Sequence, residues 1–411
     1  MFSDRKQTGR MISVLFLGFS SGLPLLLIGG TLKAWLANEK IDLALIGLFA
    51  FVQIPYAFKF VWSPIFDRYS LPILDRRRGW ILFFQICLTA LLTAMAFARP
   101  TDAPAMMGVL ALMIAFCGAS QDIVIDAYRR EILTDNELGL GSTLGVTGYR
   151  ISNWVASGLA LIVAGAVSWQ AAYLSMAALM AASTIATILS PKSAAQISRP
   201  ANLLQAAYMP LVEYFRRSGA LEMLLFILLF KVGDQMASEM LNPFYLSIGF
   251  DLKEIGAVSK TVGMVSTIAG GFIGGFWMLR VGILKSLFVF GIFQAVSTLG
   301  FSFLALTGPS LWMLGGVVAL ENVASGMGTS AYVAFMGSLC DRRFTATQYA
   351  LLSSLMGVPR AIFGSASGVL AKNMGWGPYF IFCTLLAIPG LLMLMRAKHW
   401  QKADDELAMK I

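Results

Sequence analysis

The chain has 411 residues, of which 57% are hydrophobic and only 13% charged, and its formal net charge is +9. Because soluble domains carry about 25% charged residues, this composition excludes an ordinary soluble protein and predicts an all-α integral membrane protein. In a membrane protein, excess positive charge indicates basic loops on the cytoplasmic side of the lipid bilayer, so we expect no nucleic-acid partner.

Apolar segments of about 20 residues or more, the length that crosses a bilayer, follow one another along the chain. We predict crossings at 11–37, 43–66, 80–98, 104–127, 143–166, 169–190, 221–247, 253–279, 284–306, 311–339, 347–371 and 376–395. The longest polar interruption runs from Pro191 to Ala220 and is predicted to contain a surface helix around Leu203 to Arg217. The sequence therefore predicts twelve helices in two six-helix bundles, residues 1–190 and 221–411, joined by a cytoplasmic linker at 191–220. The second bundle ends in a cytoplasmic tail.

Basic residues are distributed unequally between the predicted connections. Those that follow odd-numbered helices contain only Lys40, Arg99, Lys253 and Lys372, whereas those that follow even-numbered helices are rich in arginine. Because basic loops stay in the cytoplasm, this pattern places both termini and the linker there.

The two predicted bundles repeat each other. Arg150 and Arg360 each lie in the fifth helix of their half, and each is followed six residues later by the sequence Ala-Ser-Gly. Six helices, a cytoplasmic linker and six more helices in the same orientation form a parallel repeat. This layout resembles that of the major facilitator superfamily of transporters, in which the substrate site lies between the halves and access alternates from side to side.

A loop motif supports the same resemblance. The loop after the second helix reads FDRYSLPILDRRRGW and contains Asp67, Arg68 and Arg76, similar to the Asp-Arg, Gly and basic motif of that superfamily. The loop after the eighth helix reads GFWMLRVGILK; it keeps the spacing of Gly, Arg280, Gly and Lys but has Leu279 in place of the acid.

Two acids lie in the fourth predicted helix, within the stretch GASQDIVIDAYRRE from Gly118 to Glu131. Asp122 and Asp126 are spaced i, i+4 and share one helix face. Ionisable groups are costly in hydrocarbon, so each is a candidate functional residue that could bind and release a proton. Asp126 could instead hold the arginines of the loop after the second helix, and we favour this structural role for it and the proton role for Asp122.

Three side chains near Asp122 are candidate substrate ligands. Arg150 is predicted at a similar depth and is the predicted partner of Asp122; it could instead bind a substrate carboxylate through two hydrogen bonds. Tyr149 and Trp154 flank it and could stack on sugar rings or pack between helices. Lys59, near the inner end of the second helix, is predicted to extend towards water.

The second half carries its own charged residues inside predicted helices. Lys231 and Asp234 are spaced i, i+3 and could neutralise each other. Glu321 could pair with Arg360, and a proton or an anionic substrate would break that pair. The candidate proton-coupling residues of this half are Asp234 and Glu321, and the candidate substrate-binding residues are Lys231, Gln235, Asn322 and Arg360.

Two long stretches, GFSSGLPLLLIGGTLKAWL (Gly18 to Leu36) and GASQDIVIDAYRREIL (Gly118 to Leu133), resemble the AmpG-type muropeptide permeases of Gram-negative inner membranes. The resemblance implies proton-driven import of anhydromuropeptides from the periplasm to the cytoplasm. These are amphipathic, anionic sugar-peptides released during cell-wall recycling. It also implies a part in β-lactamase induction, and hence in antibiotic resistance. The residues that it carries over are Gly22, Ala119, Gln121 and Asp122.

Two other functions remain open. A transporter of another anionic metabolite, such as the nucleotide-linked acyl compound of the related acetyl-CoA transporters, would need a similar site. A membrane sensor is the third hypothesis, and balanced charges in both halves weigh against it. The single histidine, His399, and four cysteines without CxxC spacing predict no metal, no cofactor and no enzyme. We expect the chain to act as a monomer.

Overall fold

The computed structural model describes residues 5–41, 45, 48–193, 202–217 and 219–396, and the regular elements among them are helices. In chain order, the α-helices of these residues are α1 (Arg5–Leu26), α2 (Leu32–Asn38), α3 (Ile54–Phe58), α4 (Pro64–Arg68), α5 (Arg76–Phe97), α6 (Pro104–Ile132), α7 (Leu138–Trp154), α8 (Ala160–Ala166), α9 (Trp169–Leu189), α10 (Leu203–Arg216), α11 (Ala220–Leu229), α12 (Val232–Ser247), α13 (Leu252–Ala257), α14 (Gly263–Val281), α15 (Ile283–Thr307), α16 (Leu311–Ser338), α17 (Thr345–Met374), α18 (Trp376–Leu385) and α19 (Ile388–Met395).

Several of these helices suit a membrane by length and composition. Within the described residues, seven helical runs are each long and apolar enough to cross it: Lys6–Asn38, Arg76–Phe97, Pro104–Ile132, Trp169–Leu189, Gly263–Val281, Ile283–Thr307 and Trp376–Met395. The chain is therefore a multi-pass membrane protein, as predicted. α10 also lies where the surface helix of the linker was predicted.

Two of the interrupted crossings contain a lysine at the interruption. In the second crossing, residues 49–68 form α3, α4 and 3₁₀ turns, because Pro55 and Pro64 lack the backbone N–H that a continuous helix would use. The seventh crossing is interrupted at Phe230 and Lys231, between α11 and α12. These breaks matter because Lys59 and Lys231, one at each interruption, both bind acids.

The chain divides into two compact units. The first consists of Met1–Tyr208 together with Cys340–Ser354, and the second consists of Met209–Leu339 together with Leu355–Ile411. The start of α17 thus belongs to the first unit, although it lies in the second half of the sequence. The predicted bundle boundaries at 190 and 221 stay a prediction.

In the first unit, α1 and α7 cross closely because glycines line the crossing. A Cβ atom on Gly18 would overlap the carbonyl of Gly145, and a Cβ on Gly148 would overlap the carbonyl of Leu15. Small residues allow helices to approach in this way, so van der Waals contact can hold them together where the apolar surroundings provide little hydrophobic driving force.

In the second unit, glycines again bring two long helices together, here α14 and α16. A Cβ atom on Gly270 would overlap the backbone of Val323, and one on Gly326 would overlap the carbonyl of Thr267. This close pair gives a fixed support for Glu321, which lies on α16 and is discussed below.

Candidate functional site

Asp122, on α6, lies in a cluster of charged side chains in the first unit. The Ser21 hydroxyl donates to Asp122 Oδ1 at 2.5 Å, and Lys59 Nζ donates to Asp122 Oδ2. Lys59 is buried and forms an ion pair with Asp122, whereas the pairing of Asp122 with Arg150 stays a prediction. The prediction that Lys59 extends towards water was wrong, because the broken second crossing turns this side chain towards α6.

Asp126, one helical turn further along α6, belongs to the same cluster. Arg129 Nη2 donates to Asp126 Oδ1 at 2.6 Å and to the Tyr349 hydroxyl at 2.8 Å. Lys59 Nζ also lies 4.0 Å from Asp126 Oδ2. Two acids and two cations thus form a chain that is neutral overall. Buried charges are stable only while they are paired, so a proton that neutralises Asp122 would leave Lys59 with the more distant Asp126 as its remaining acid among the described residues.

The arginines of the loop after the second crossing bind Glu131, and not Asp126 as predicted. Arg77 Nη2 lies 2.6 Å from Glu131 Oε1 and 2.8 Å from Asp67 Oδ1, and Arg76 Nη2 lies 2.9 Å from the same Glu131 oxygen. Asp126 is already bound by Arg129 on its own helix, whereas Glu131 is the last acid of α6 and reaches the loop. That position next to the loop is the signal that would have identified Glu131.

Asp67, the acid of the loop motif, also binds the start of α17. It accepts hydrogen bonds from the backbone N–H of Ala346 at 3.2 Å and of Thr347 at 2.9 Å, and from the Thr347 hydroxyl at 2.7 Å. A carboxylate is favoured there because the N–H groups at a helix N-terminus are unpaired and carry partial positive charge. Asp67 therefore joins the loop motif to the segment Cys340–Ser354 within the first unit.

The other two residues of the predicted loop motif make different contacts. The guanidinium of Arg68 lies 5.5 Å from the centre of the Tyr69 ring. Arg280 is exposed in the last turn of α14, in the second unit.

Gln121 lies in a buried polar network beside the charged cluster. Its Nε2 donates to Ser20 Oγ at 2.8 Å, and Gln85 Nε2 donates to the same oxygen at 3.0 Å. Gln121 Oε1 is buried and has no hydrogen-bond partner among the described residues. The amide nitrogen of Gln121 is thus bound within the protein, and its amide oxygen is able to accept a hydrogen bond.

The other candidate residues of the first unit differ in exposure. A Cβ atom on Gly22 would overlap Ser152 and the backbone of Tyr149, so Gly22 and Tyr149 are in contact where α1 crosses α7. Ala119 is fully buried. Trp154 is 45% exposed, and Arg150 is partly buried on the same helix.

In the second unit, Lys231 and Asp234 bind each other. Lys231 Nζ lies 3.1 Å from Asp234 Oδ2 and donates to Gln294 Oε1 at 3.2 Å. The predicted neutral pair is confirmed. Gln235 follows Asp234 on α12 and is partly buried.

Glu321 lies on α16 and is only 6% exposed. It contacts the Ser297 hydroxyl closely and lies 3.4 Å from the Thr298 hydroxyl, both on α15. Asn322 donates to a carbonyl of its own helix at 2.8 Å. The side chain of Arg360, the predicted partner of Glu321, lies outside the described side chains. Among those described, no cation comes within ion-pair distance of Glu321.

A small cavity of about 20 Å³ adjoins this polar cluster. It is lined by Phe230, Asp234, Gly291, Gln294, Ala295, Thr298, Cys383, Ala387 and Leu391. Within the described residues, no group of three His, Cys, Asp or Glu side chains could hold a metal ion.

Arg10 and Glu137 form a further ion pair, outside the predicted crossings. Arg10 Nη2 donates to Glu137 Oε1 at 2.6 Å, and the Thr134 backbone N–H donates to Glu137 Oε2 at 3.0 Å. Burial favours the neutral acid, but the hydrogen bonds from Arg10 and Thr134 outweigh it and lower the pKa of Glu137 below its ordinary value.

Comparisons with known proteins place these features in a family. A sequence model of the Major Facilitator Superfamily matches residues 11–364. The anhydromuropeptide permease of Escherichia coli (strain K12) is 44% identical over 391 residues, which are 95% of this chain and 80% of that protein. The putative transporter AmpG 4 of Rickettsia felis is 33% identical over 397 residues, which are 94% of this chain and 96% of that protein.

Solved structures share the fold. The proton:xylose symporter XylE matches with a TM-score of 0.69 at 11% identity, over 95% of each chain. The E. coli fucose:proton symporter FucP matches with a TM-score of 0.68 at 15% identity, over 95% of this chain and 99% of that chain. At such low identity these likenesses concern the fold alone.

Proposed function

We infer, from the premise that this chain belongs to the Major Facilitator Superfamily and to its family of AmpG-type anhydromuropeptide permeases, that it imports anhydromuropeptides. We propose that it carries them from periplasm to cytoplasm across a bacterial inner membrane, with both termini in the cytoplasm. Import is driven by protons, proceeds by alternating access in a monomer, and involves no enzymatic step.

The observation that carries this proposal is the identity of 44% with the E. coli anhydromuropeptide permease over 95% of the chain. Similarity of this extent covers the whole membrane region rather than one motif. The polar, anionic nature of a sugar-peptide also suits a protein that holds cations inside its membrane helices, because a substrate carboxylate needs a positive partner.

Proton coupling is proposed from the cluster around Asp122. Lys59 binds Asp122 in the absence of a proton, and a proton on Asp122 removes that attraction. Lys59 then keeps only the more distant contact with Asp126 and is able to bind a carboxylate of the substrate. Proton and substrate therefore support each other's binding, which is the condition for coupled transport. Asp126, Asp234 and Glu321 are further candidates for proton coupling.

Substrate contacts are proposed for the partly exposed side chains of α7. Arg150 would bind a carboxylate, and Tyr149 and Trp154 would offer ring faces to the sugars. Gln121 would accept a hydrogen bond from an N-acetyl group through its Oε1 atom. In the second unit, we propose amide and charged contacts from Lys231, Gln235, Asn322 and Arg360.

Uptake into proteoliposomes tests the proposal. The purified protein should accumulate labelled anhydromuropeptide when an inward proton gradient is applied, and Asp122→Asn should abolish this accumulation while the protein still folds. Asp102→Asn is the matched control, because Asp102 is an exposed aspartate just before α6, where it contacts the exposed Arg99 and the Thr101 hydroxyl. Its uptake should equal that of the wild type.

The competing functions predict other results. A transporter of nucleotide-linked acyl compounds would accumulate such a compound and ignore the muropeptide. A sensor would bind the muropeptide without accumulating it. Normal uptake by Asp122→Asn would remove Asp122 from the coupling site and leave the substrate assignment standing.

A further inference from the structure

The carboxyl group of Glu321 is buried among hydroxyl groups, and no cation of the described side chains lies at ion-pair distance from it. Its described hydrogen-bond partners are the hydroxyls of Ser297 and Thr298 on α15. Both hydroxyls also lie at hydrogen-bond distance from the backbone carbonyl of Gln294, at 2.9 Å from Ser297 and 3.1 Å from Thr298. Each hydroxyl has one proton to donate and two acceptors to satisfy.

A proton on Glu321 satisfies both oxygen contacts of Ser297 at once. The Ser297 oxygen has two close oxygen neighbours, Gln294 O and Glu321 Oε2, and it has a single proton to donate. If Ser297 donates to the Gln294 carbonyl, a protonated Glu321 can donate to the Ser297 oxygen. If Glu321 is ionised, Ser297 donates to Glu321 instead. The contacts therefore accommodate a protonated Glu321, and the surrounding charges decide between the two states.

The charges around Glu321 favour the protonated state. The titratable groups of the described side chains that act on it are Lys231 and Asp234, at the join of α11 and α12, and Tyr245 on α12. Lys231 is held by Asp234 and by Gln294, so its charge is already balanced. A buried carboxylate without a cation of its own is strongly disfavoured, and such a group takes up a proton instead.

The cavity beside this cluster is large enough to hold a water molecule that could accept the proton. It has a volume of about 20 Å³ and is lined by Asp234, Gln294 and Thr298, so one water molecule fits there with three polar neighbours. Gln294 Nε2 is buried and has no partner among the described residues, and it is a donor that such a water would accept from. The water would join Asp234 to Thr298, which in turn contacts Glu321.

We propose that Glu321, with Ser297 and Thr298, forms a second proton-binding site, located in the second unit, and that a water in the adjoining cavity connects it to Asp234. The proton held by Glu321 is donated to Ser297 Oγ. When this proton leaves, Glu321 gives it to the Thr298 oxygen, Thr298 gives its own hydroxyl proton to the water, and the water gives a proton to the Asp234 carboxylate. The use of this proton in transport rests on the proposed function, whereas its presence on Glu321 does not.

Infrared spectroscopy of the purified protein in lipid tests the protonation directly. At neutral pH the wild type should show the carbonyl stretch of a protonated carboxylic acid, and Glu321→Gln should lose that band. The glutamine amide still donates to Ser297, so the variant should fold. Asp102→Asn, at an exposed aspartate of the first unit, is the matched control and should keep the band. A band of equal intensity in wild type and Glu321→Gln would overturn the proposal.

Exchange with heavy water tests the route. In the wild type the band should shift within the time that buffer exchange takes, because its proton reaches the cavity. Thr298→Val, which replaces the hydroxyl with a methyl group of similar size, should slow the shift several-fold. Ala295→Leu, which fills the cavity while keeping the hydroxyl, should slow it as well. Unchanged exchange in both variants would refute the route. Since neither measurement involves uptake, failure here and failure of muropeptide transport are separate results.

Discussion

Lys59→Met tests the charged cluster of the first unit most sharply, because methionine keeps much of the side-chain volume and removes the charge. The change leaves Asp122, whose side chain is 17% exposed, with Ser21 as its described partner. Breaking a buried ion pair costs about 3–5 kcal/mol of unfolding free energy. Partial exposure of Asp122 places this variant near the lower end, at about 3 kcal/mol.

Protonation sets an upper limit on the same cost. An aspartate left without its cation can take a proton from water, which keeps the cost below that of an unpaired buried charge. Asp122→Asn alone should cost about 1 kcal/mol, because Lys59 keeps Asp126 at 4.0 Å. The double variant should also cost about 1 kcal/mol, since replacing both partners of a buried pair with neutral groups is close to neutral.

The assay is the free energy of unfolding in detergent, from denaturant titration followed by tryptophan fluorescence. Wild type, the two single variants and the double variant form a cycle with an expected coupling of about 3 kcal/mol. Lys33→Met is the matched control: Lys33 lies on α2 of the same unit with no ion pair among the described residues, and its change should stay within about 0.5 kcal/mol. Single effects that add within about 0.5 kcal/mol would refute the pairing of Lys59 with Asp122.

Three further variants test other contacts. Glu131→Gln leaves Arg76 without its carboxylate and the buried Arg77 with Asp67 alone, and it should lower the free energy of unfolding by about 3 kcal/mol. Asp75→Asn removes the carboxylate from the more exposed pair of Asp75 and Arg78 and should lower the free energy of unfolding by about 1 kcal/mol. If denaturant titration gives the same loss for Asp75→Asn and Glu131→Gln, burial does not determine the cost. The lowered pKa of Glu137 means that its ion pair stabilises the protein fully above the unfolded pKa of about 4.3 and is lost as the pH falls through the lower folded value. The stability difference between wild type and Glu137→Gln should therefore shrink in acid, and a constant difference down to pH 3 would contradict this. Gly22→Ala, which places a Cβ against backbone, should lower the thermal unfolding temperature, whereas Gly9→Ala, with nothing within 4 Å of its Cβ, should not; equal temperatures would rule out the close helix crossing.

The family and the all-α membrane fold were predicted from the sequence and are confirmed. Hydropathy identifies crossings because the bilayer fixes their length, and the stretches Gly18–Leu36 and Gly118–Leu133 are long enough to be specific to a family. The match to the Major Facilitator Superfamily over residues 11–364 agrees with both. The surface helix around Leu203 was also predicted from the sequence, because it lies in the long polar interruption between the apolar segments.

Contacts between charged residues were predicted only where they are local. Lys231 and Asp234 are three residues apart on neighbouring helical turns, so their pairing follows from spacing alone. Lys59 and Asp122 are 63 residues apart, and their contact depends on how the broken second crossing turns towards α6. No periodic pattern in the sequence predicts how the second crossing turns, so we predicted Arg150, and not Lys59, as the partner of Asp122.

The role of the last acid of α6 was missed for a related reason. Glu131 directly follows Arg129 and Arg130, and a count of charges along the chain treats it as balanced by them. In the structure it faces the loop after the second crossing and binds Arg76 and Arg77 instead. Glu131 lies five residues beyond Asp126, so the two acids lie on different faces of α6 and contact different partners.

Substrate-driven proton movement tests the central claim most directly. Proteoliposomes that contain the protein and an internal pH indicator are prepared without a proton gradient, and unlabelled anhydromuropeptide is then added outside. Coupled import predicts that the interior becomes acidic on addition of the muropeptide in the wild type and in Asp102→Asn, and that it does not in Asp122→Asn. Muropeptide entry without any acidification in the wild type would contradict the account.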